Sequence, residues 1–287
     1  MNVFDPKAYK DATHAQWQEA AKAWNDWGQV LNTWLGPATE TMLDMAGVAP
    51  GAHVLDVAAG AGEQSLTAAH RVGPTGRVLA SDISENILEF AAENARAAGI
   101  DHMDTLTADG EGLDLDPASF DAAISRVGLI YFPDRQEALA RIKAALKPGG
   151  RFAAMVYSTP EKNGFFSVPV SIIRKRAALP PPLPGQPGPF SLGGPGVLAK
   201  VLERAGFSEI EERVIAAPLR LPHAADCLRF ERESFGALHQ MLSGLDEAAR
   251  EAVWDEIGSM LGAYETADGF EGPCEMVVVS GRKGVVS

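Results

Sequence analysis

A chain of 287 residues is long enough for one large domain with elaborations. Its 46% hydrophobic and 22% charged residues belong to the ordinary globular range, not to disordered or membrane chains. With 25 Lys and Arg against 38 Asp and Glu, the formal charge of −13 repels polyanions and disfavours DNA or RNA as a partner.

No stretch reaches the ~18 apolar residues of a membrane span, and Met1–Lys10 lacks the apolar core of a signal peptide. The two cysteines, Cys227 and Cys274, have no Cys or His at ligand spacing, so neither a disulfide framework nor a metal site is expected. A cytoplasmic protein fits these features.

Residues 1–50 read as a helical segment rich in tryptophan. Trp17, Trp24, Trp27, Leu31 and Trp34 follow one another at steps of seven, three, four and three, which aligns them on one face of a continuous helix. Gly28 is a point at which that helix can break. Two readings stay open: a packing face against the body of the protein, or a lid whose aromatics, Trp24 and Trp27 first, cover a cofactor or substrate.

Residues 51–287 form the main domain. Short apolar runs alternate with amphipathic segments, the pattern of a doubly wound α/β sheet. Strands are expected at His53–Val57, Arg77–Ser81, Met103–Thr107, Asp121–Ser125 and Arg151–Tyr157. Helices are expected at Glu63–Arg71, Glu85–Ala98 and Arg135–Leu146, where apolar residues recur at three- and four-residue spacing. Ser84 caps the second, and Lys147-Pro148-Gly149-Gly150 stops the third.

After Tyr157 the rhythm changes. Pro180–Pro189 holds six prolines and two glycines, a stiff segment unsuited to a sheet interior and read as an ordered surface loop. A helix over Gly196–Ala205, a strand over Glu209–Pro218 and a closing strand over Cys274–Ser280 follow. Two helices, Ala224–Met241 and Asp246–Ala263, separate those strands. Insertions therefore fall at about 158–195 and 222–270.

Chemistry concentrates at strand ends. Val54-Leu55-Asp56-Val57-Ala58-Ala59-Gly60-Ala61-Gly62-Glu63 is an apolar strand ending in a small-residue turn that enters a helix, a place where a nucleotide can approach the backbone. The Gly60-x-Gly62 spacing alone would also serve a dinucleotide. Asp82 closes the next strand, 20 residues after Gly62, where a carboxylate accepts ribose hydroxyls. Its alternative is to open the following helix. Asp109-Gly110-Glu111 follows the third strand. Ligands of open sheets gather at the carboxyl ends of strands, so Asp56, Asp82 and Asp109 converge on one crevice. Three acids there argue against a pyrophosphate and for a cationic cofactor.

These strand ends resemble those of class I S-adenosylmethionine-dependent methyltransferases. The run Ser125-Arg126-Val127-Gly128-Leu129-Ile130-Tyr131-Phe132-Pro133-Asp134 and the phrase Leu146-Lys147-Pro148-Gly149-Gly150-Arg151-Phe152 are similar to the ubiquinone and menaquinone biosynthesis branch. Ala58 and Ala59 depart from the family's usual glycine and cysteine.

The resemblance implies a Rossmann-like seven-stranded sheet with an antiparallel last strand, N-terminal helices and helical cap insertions. It implies S-adenosylmethionine as cofactor and S-adenosylhomocysteine as product. Gly60 and Gly62 would border the methionine part, Asp82 would hold the ribose, and Asp109 with Gly110 would lie at the adenine; Asp56, Ala58 and Ile83 are further cofactor-binding candidates. Arg126 would meet both cofactor and acceptor, with Tyr131 beside it.

Methyl transfer from a sulfonium needs alignment more than a dedicated catalytic group. Where the acceptor carries a proton, His14, Tyr131, Tyr157, His223 and His239 are candidate bases. The sequence shows no metal-binding pattern. A small-molecule acceptor is expected; an NAD-dependent oxidoreductase and a non-catalytic cofactor-binding scaffold are the alternatives. The oligomeric state and the acceptor have no signature.

Overall fold

The computed structural model describes residues 4–183 and 185–285. Residues 1–3 of the Met1–Lys10 segment, Pro184 of the proline run and residues 286–287 lie outside them. Helix α1 spans Pro6–Asp26, its start fixed by Asp5, whose carboxylate accepts from Lys7 N at 3.0 Å and Ala8 N at 3.1 Å. Pro6 at the first helical position loses no intrahelical bond. The helix ends at Trp27, and α2 runs from Gly28 to Met45.

The alternation that follows is β1 His53–Val57, α3 Glu63–Val72, β2 Arg77–Asp82, α4 Glu85–Ala97, β3 Met103–Thr107, β4 Phe120–Arg126, α5 Arg135–Ala145 and β5 Leu146–Tyr157. Ser84 caps α4, its hydroxyl accepting from Ile87 N at 3.2 Å. β5 begins at Leu146 rather than at Arg151, because Leu146 pairs with Phe120 and a register shift between Phe120 and Ala122 absorbs the turn residues.

The second half contributes α6 Gly164–Arg176, α7 Val197–Arg204, β6 Ser208–Ala216, β7 Leu219–Leu221, α8 Ala224–Ser234, α9 Gly236–Leu242, α10 Glu247–Leu261, β8 Glu265–Thr266, β9 Gly269–Gly272 and β10 Glu275–Arg282. Seven strands form one sheet in the order β3-β2-β1-β4-β5-β10-β6. All pairs are parallel except those of β10, which runs antiparallel to both β5 and β6. This is a Rossmann-like doubly wound sheet. The strand order reverses between β1 and β4, which opens a crevice at their carboxyl ends.

Leu55, Ile124 and Phe152 of the sheet and Leu31 and Met42 of α2 are fully buried in a continuous core. Trp34 Nε1 donates to Ala217 O at 2.7 Å and Trp27 Nε1 to Glu233 Oε2 at 2.8 Å, tying α2 and the turn before it to the second half of the chain. A buried indole keeps its donor satisfied in this way while contributing a large apolar area.

The insertions depart from expectation in three places. The helix expected over Ala224–Met241 is two helices, broken at Phe235 (φ −97°, ψ 76°). The break turns the Phe235 ring onto Phe166 and Phe230, with centroids 4.8 and 5.2 Å away, and tertiary packing overrides helix periodicity. Helix α6 lies where no element was expected, despite Pro169 in its interior. The strands β7, β9 and β8 make a small antiparallel sheet too short to show a period in the sequence. Among the described residues of Pro180–Pro189 there is no helix or strand; Gly188 N donates to Ile130 O at 2.9 Å. No helix among the described residues is long and apolar enough to cross a membrane.

Candidate active site

A cleft of about 970 Å³, open mouth included, lies over the carboxyl ends of β1, β2 and β4 and beneath α1. Its floor is the turn after β1. Ala58 and Gly60 both take positive φ, 59° and 60°. Val127, at the end of β4, does so too, at 60°. A β-branched residue in that region is strained by about 1–3 kcal/mol, a cost that clusters at ligand sites. Gly128 explains the closeness of the two turns: a Cβ there would stand 2.5 Å from that of Ala58.

Asp82, at the end of β2, accepts Gly60 N through one oxygen and Ser84 N through the other, each at 3.0 Å. Burial pushes its pKa up, opposed by these amide donors. The carboxylate therefore joins the β1 turn to the start of α4 and still has lone pairs for a ligand. Ile83 lines the cleft beside it. Asp109 and Gly110 form the far end, where Asp109 accepts from Glu111 N at 3.0 Å. Lys10 of α1 bridges Asp109 at 2.5 Å and Glu111 at 2.6 Å, so α1 is strapped across the cleft.

Arg126 lines the inner wall and pairs with Glu63 at 3.0 Å, both side chains buried. Burial raises the Glu63 pKa and the guanidinium opposes the rise. The opposite wall is aromatic. Trp17 stands edge-on to Trp24 and to Tyr131, with centroids 5.2 and 5.7 Å away. Trp24 Nε1 lies 3.4 Å from where a Cβ on Gly60 would sit. Burial pushes the hydroxyls of Tyr131 and Tyr157, both in the cleft wall, above the usual tyrosine range. They stay protonated at neutral pH and so keep a proton to donate.

Ala58, Gly60, Asp82, Ile83, Asp109, Gly110, Arg126, Trp24, Tyr131 and Tyr157 thus meet in one cleft. Other candidates stand elsewhere. Gly62 packs on α4, where a Cβ would come within 2.9 Å of Ala91. Trp27 sits behind the wall on Phe230, at 5.0 Å. His14 is half-exposed and 3.6 Å from Glu85. His223 pairs with Glu265 at the start of α8, and His239 packs on Trp254. None of these three imidazoles lines the cleft.

Asp56 is fully buried beneath the turn and outside the lining. It accepts from Ser65 Oγ at 2.5 Å and from Gln64 Nε2 at 3.4 Å, so it anchors the start of α3. Desolvation pushes its pKa from 3.8 up to about 7. The folded chain then holds this proton more tightly than the unfolded chain does. The stability it contributes is full below about pH 4 and is lost as pH rises to about 7. The stability of the wild type relative to Asp56→Asn is expected to fall by a few kcal/mol, order of magnitude, across that window and to level off above it. Thermal melts of both proteins from pH 4 to 8 check this, and a constant difference would refute it.

Sequence reasoning missed Lys10, Thr13 and Gln64 as cleft residues. Lys10 and Thr13 share a face of α1 with Trp17, which the aromatic spacing signalled. Gln64 carried no signal. Its Nε2 donates to Ala59 O at 3.0 Å, while its Oε1 is buried without a partner. An unpartnered buried acceptor beside a glycine turn, with carboxylates at two further strand ends, suits a ligand that brings an ammonium group and ribose hydroxyls. The residues present fit S-adenosylmethionine.

The comparisons agree with this geometry. Residues 33–173 match the model of the ubiE/COQ5 methyltransferase family. Nocamycin O-methyltransferase of Saccharothrix syringae is 30% identical over 66% of this chain and 70% of its own length. The ubiquinone/menaquinone biosynthesis C-methyltransferase UbiE of Pseudomonas fluorescens is 33% identical over 41% of this chain, and the match spans 46%, just under half, of that relative. The fold is shared with Haemonchus contortus phosphoethanolamine N-methyltransferase 2, solved with phosphomonomethylethanolamine and S-adenosylhomocysteine. That likeness has a TM-score of 0.57 at 18% identity and covers 98% of this chain and 61% of that one.

Fold and sequence together define a class I S-adenosylmethionine-dependent methyltransferase. Within that class, the chain belongs to the ubiE/COQ5 methyltransferase family. An NAD-dependent oxidoreductase is thereby set aside.

Proposed function

We propose that this methyltransferase holds S-adenosylmethionine across the β1 turn and passes its methyl group to a small-molecule acceptor at the aromatic end of the cleft. Asp82 carries the reading: a carboxylate bound to Gly60 N at the close of β2 is placed to accept ribose hydroxyls. In the same reading Gln64, Ala58 and Gly60 border the methionine part, Ile83 the ribose, and Asp109 with Gly110 the adenine.

When bound, the cofactor supplies an electrophilic methyl carbon on a sulfonium. The protein's part is to align the acceptor for in-line attack and to exclude water. Trp17 and Trp24 close the cleft from α1, while Arg126, Tyr131 and Tyr157 offer donors to an oxygen on the acceptor. No imidazole serves as a base in this arrangement. The net charge of −13 supports a small molecule over a polyanion. Two buried free thiols suit a reducing, cytoplasmic setting.

Calorimetry with S-adenosylhomocysteine and with NAD tests the cofactor, and transfer of a radiolabelled methyl group into metabolite pools tests turnover. Micromolar binding of the first and label in a small product are expected. Binding of NAD alone would overturn the reading, and cofactor binding without transfer to any acceptor would leave a scaffold.

A further inference from the structure

A narrow side recess of about 270 Å³, open solvent included, adjoins the cleft between α1 and the elbow that joins α8 to α9. Trp17, Tyr131 and Phe235 line both spaces, so these three side chains stand between them. Beyond it lies Ser234, which is 1% exposed and whose Oγ has no hydrogen-bond partner. One turn earlier on the same face of α8 stands Glu231, fully buried, with Oε2 unpartnered and Oε1 3.9 Å from Cys227 Sγ. Burial holds the Glu231 pKa well above the usual carboxyl range, which favours its uncharged form.

A buried hydroxyl and a buried carboxyl left unpaired each cost about 1–3 kcal/mol, and groups of this kind call for a partner that the chain itself does not supply. The recess at Ser234 is walled by aromatic and small apolar residues with Gln16 beside them, and neither lining places an unpaired cation there: Lys10 and Arg126 are both ion-paired. A carboxylate or phosphate on the ligand would be buried there without a counter-charge.

Resting on the methyltransferase reading above, we propose that this pocket is the distal acceptor subsite, where Ser234, backed by Glu231, binds a carbonyl oxygen of an uncharged, largely apolar acceptor. The acceptor threads the ring of Trp17, Tyr131 and Phe235, with its nucleophile toward Arg126 and its carbonyl toward α8. Admitting it requires the Phe235 ring, which marks the break between α8 and α9, to move aside.

Three probes of one shape test this on the full chain saturated with S-adenosylhomocysteine: 4-methylacetophenone, 4-ethyltoluene, which lacks the oxygen, and 4-methylbenzoate, which carries a charge. Calorimetry is expected to rank the ketone first and the anion last. Ser234→Ala should weaken the ketone about tenfold, as loss of one hydrogen bond does, and leave the hydrocarbon unchanged. Glu231→Gln, which keeps a donor, should retain most ketone binding, and Glu231→Leu should not.

Because the Ser234 hydroxyl has no partner in the free protein, Ser234→Ala should also leave the melting temperature unchanged or higher. A lower melting temperature, equal ketone binding by Ser234→Ala, preference for the anion, or no binding by any probe each overturns the subsite. Failure of S-adenosylhomocysteine to bind the wild type would instead sink the methyltransferase reading itself.

Discussion

Replacing Asp82 by alanine is expected to weaken S-adenosylhomocysteine binding by on the order of 100-fold while the sheet still folds. Hydrogen bonds to a charged acceptor contribute about 1.5–3 kcal/mol each, and a ribose offers two hydroxyls. The same carboxylate also holds Gly60 N and Ser84 N at 3.0 Å, so its removal loosens the β1 turn that faces the ligand. Asp82 sits at the end of β2 rather than inside the core, and the strand keeps its pairs with β1 and β3. Asp82→Asn can still accept hydrogen bonds and should retain more affinity than the alanine variant. Calorimetry with circular dichroism on both variants decides the matter: unchanged affinity in folded Asp82→Ala would remove Asp82 from the ribose.

The largest loss of stability should come from Arg126→Met. Glu63 would then lie buried without its cation, and breaking a buried pair on one side costs about 3–5 kcal/mol. At roughly 2–4 °C per kcal/mol for chains of this order of size, the melting temperature should fall by on the order of 10 °C. Adding Glu63→Gln should recover much of that loss, because an uncharged amide tolerates the same apolar surroundings. The penalty should shrink as pH is lowered, since burial already biases Glu63 toward its protonated form. Melts of the two single variants and the double variant at pH 5 and pH 8 test it. Equal losses in Arg126→Met and the double variant would show that the charge of Glu63 is not the cause.

The cofactor half of the fold was legible because its elements are local. Each strand from His53 to Tyr157 is an apolar run bounded by turn residues, and each helix carries one apolar stripe, so strands β1 and β3 start and stop where the residue pattern places them. Ribose- and adenine-side candidates follow from the same logic, since strand ends converge in any sheet of this kind. Asp56 was misjudged because sequence shows that a carboxylate follows an apolar run, not which way it points. Here it points beneath the turn at Ser65.

The aromatic end of the cleft was illegible for a different reason. Its residues come from α1, the turn after β4 and the α8–α9 elbow, segments far apart in the chain, and the elbow exists only because Phe235 packs on Phe166 and Phe230. The tryptophan row, split between α1 and α2 at Trp27, shows both outcomes: Trp24 lines the cleft, while Trp27 and Trp34 pack against the second half. No periodicity divides them.

The position of β10 has a consequence for how the chain acquires this shape. It comes last in chain order among the described strands, yet it lies between β5 and β6, and β6 has no other neighbour in the sheet. Until residue 275 is reached, β6 has nothing to pair with and the outer edge of β5 stays open. The parallel units from β1 to β5 can assemble during synthesis, but closure waits for contacts of long sequence separation, which are slow to form. Helices α8 to α10 precede β10 in the chain and lie between the two strands that must pair, β6 and β10. Affinity for S-adenosylhomocysteine should therefore return before β6 is paired when the unfolded chain is diluted from denaturant.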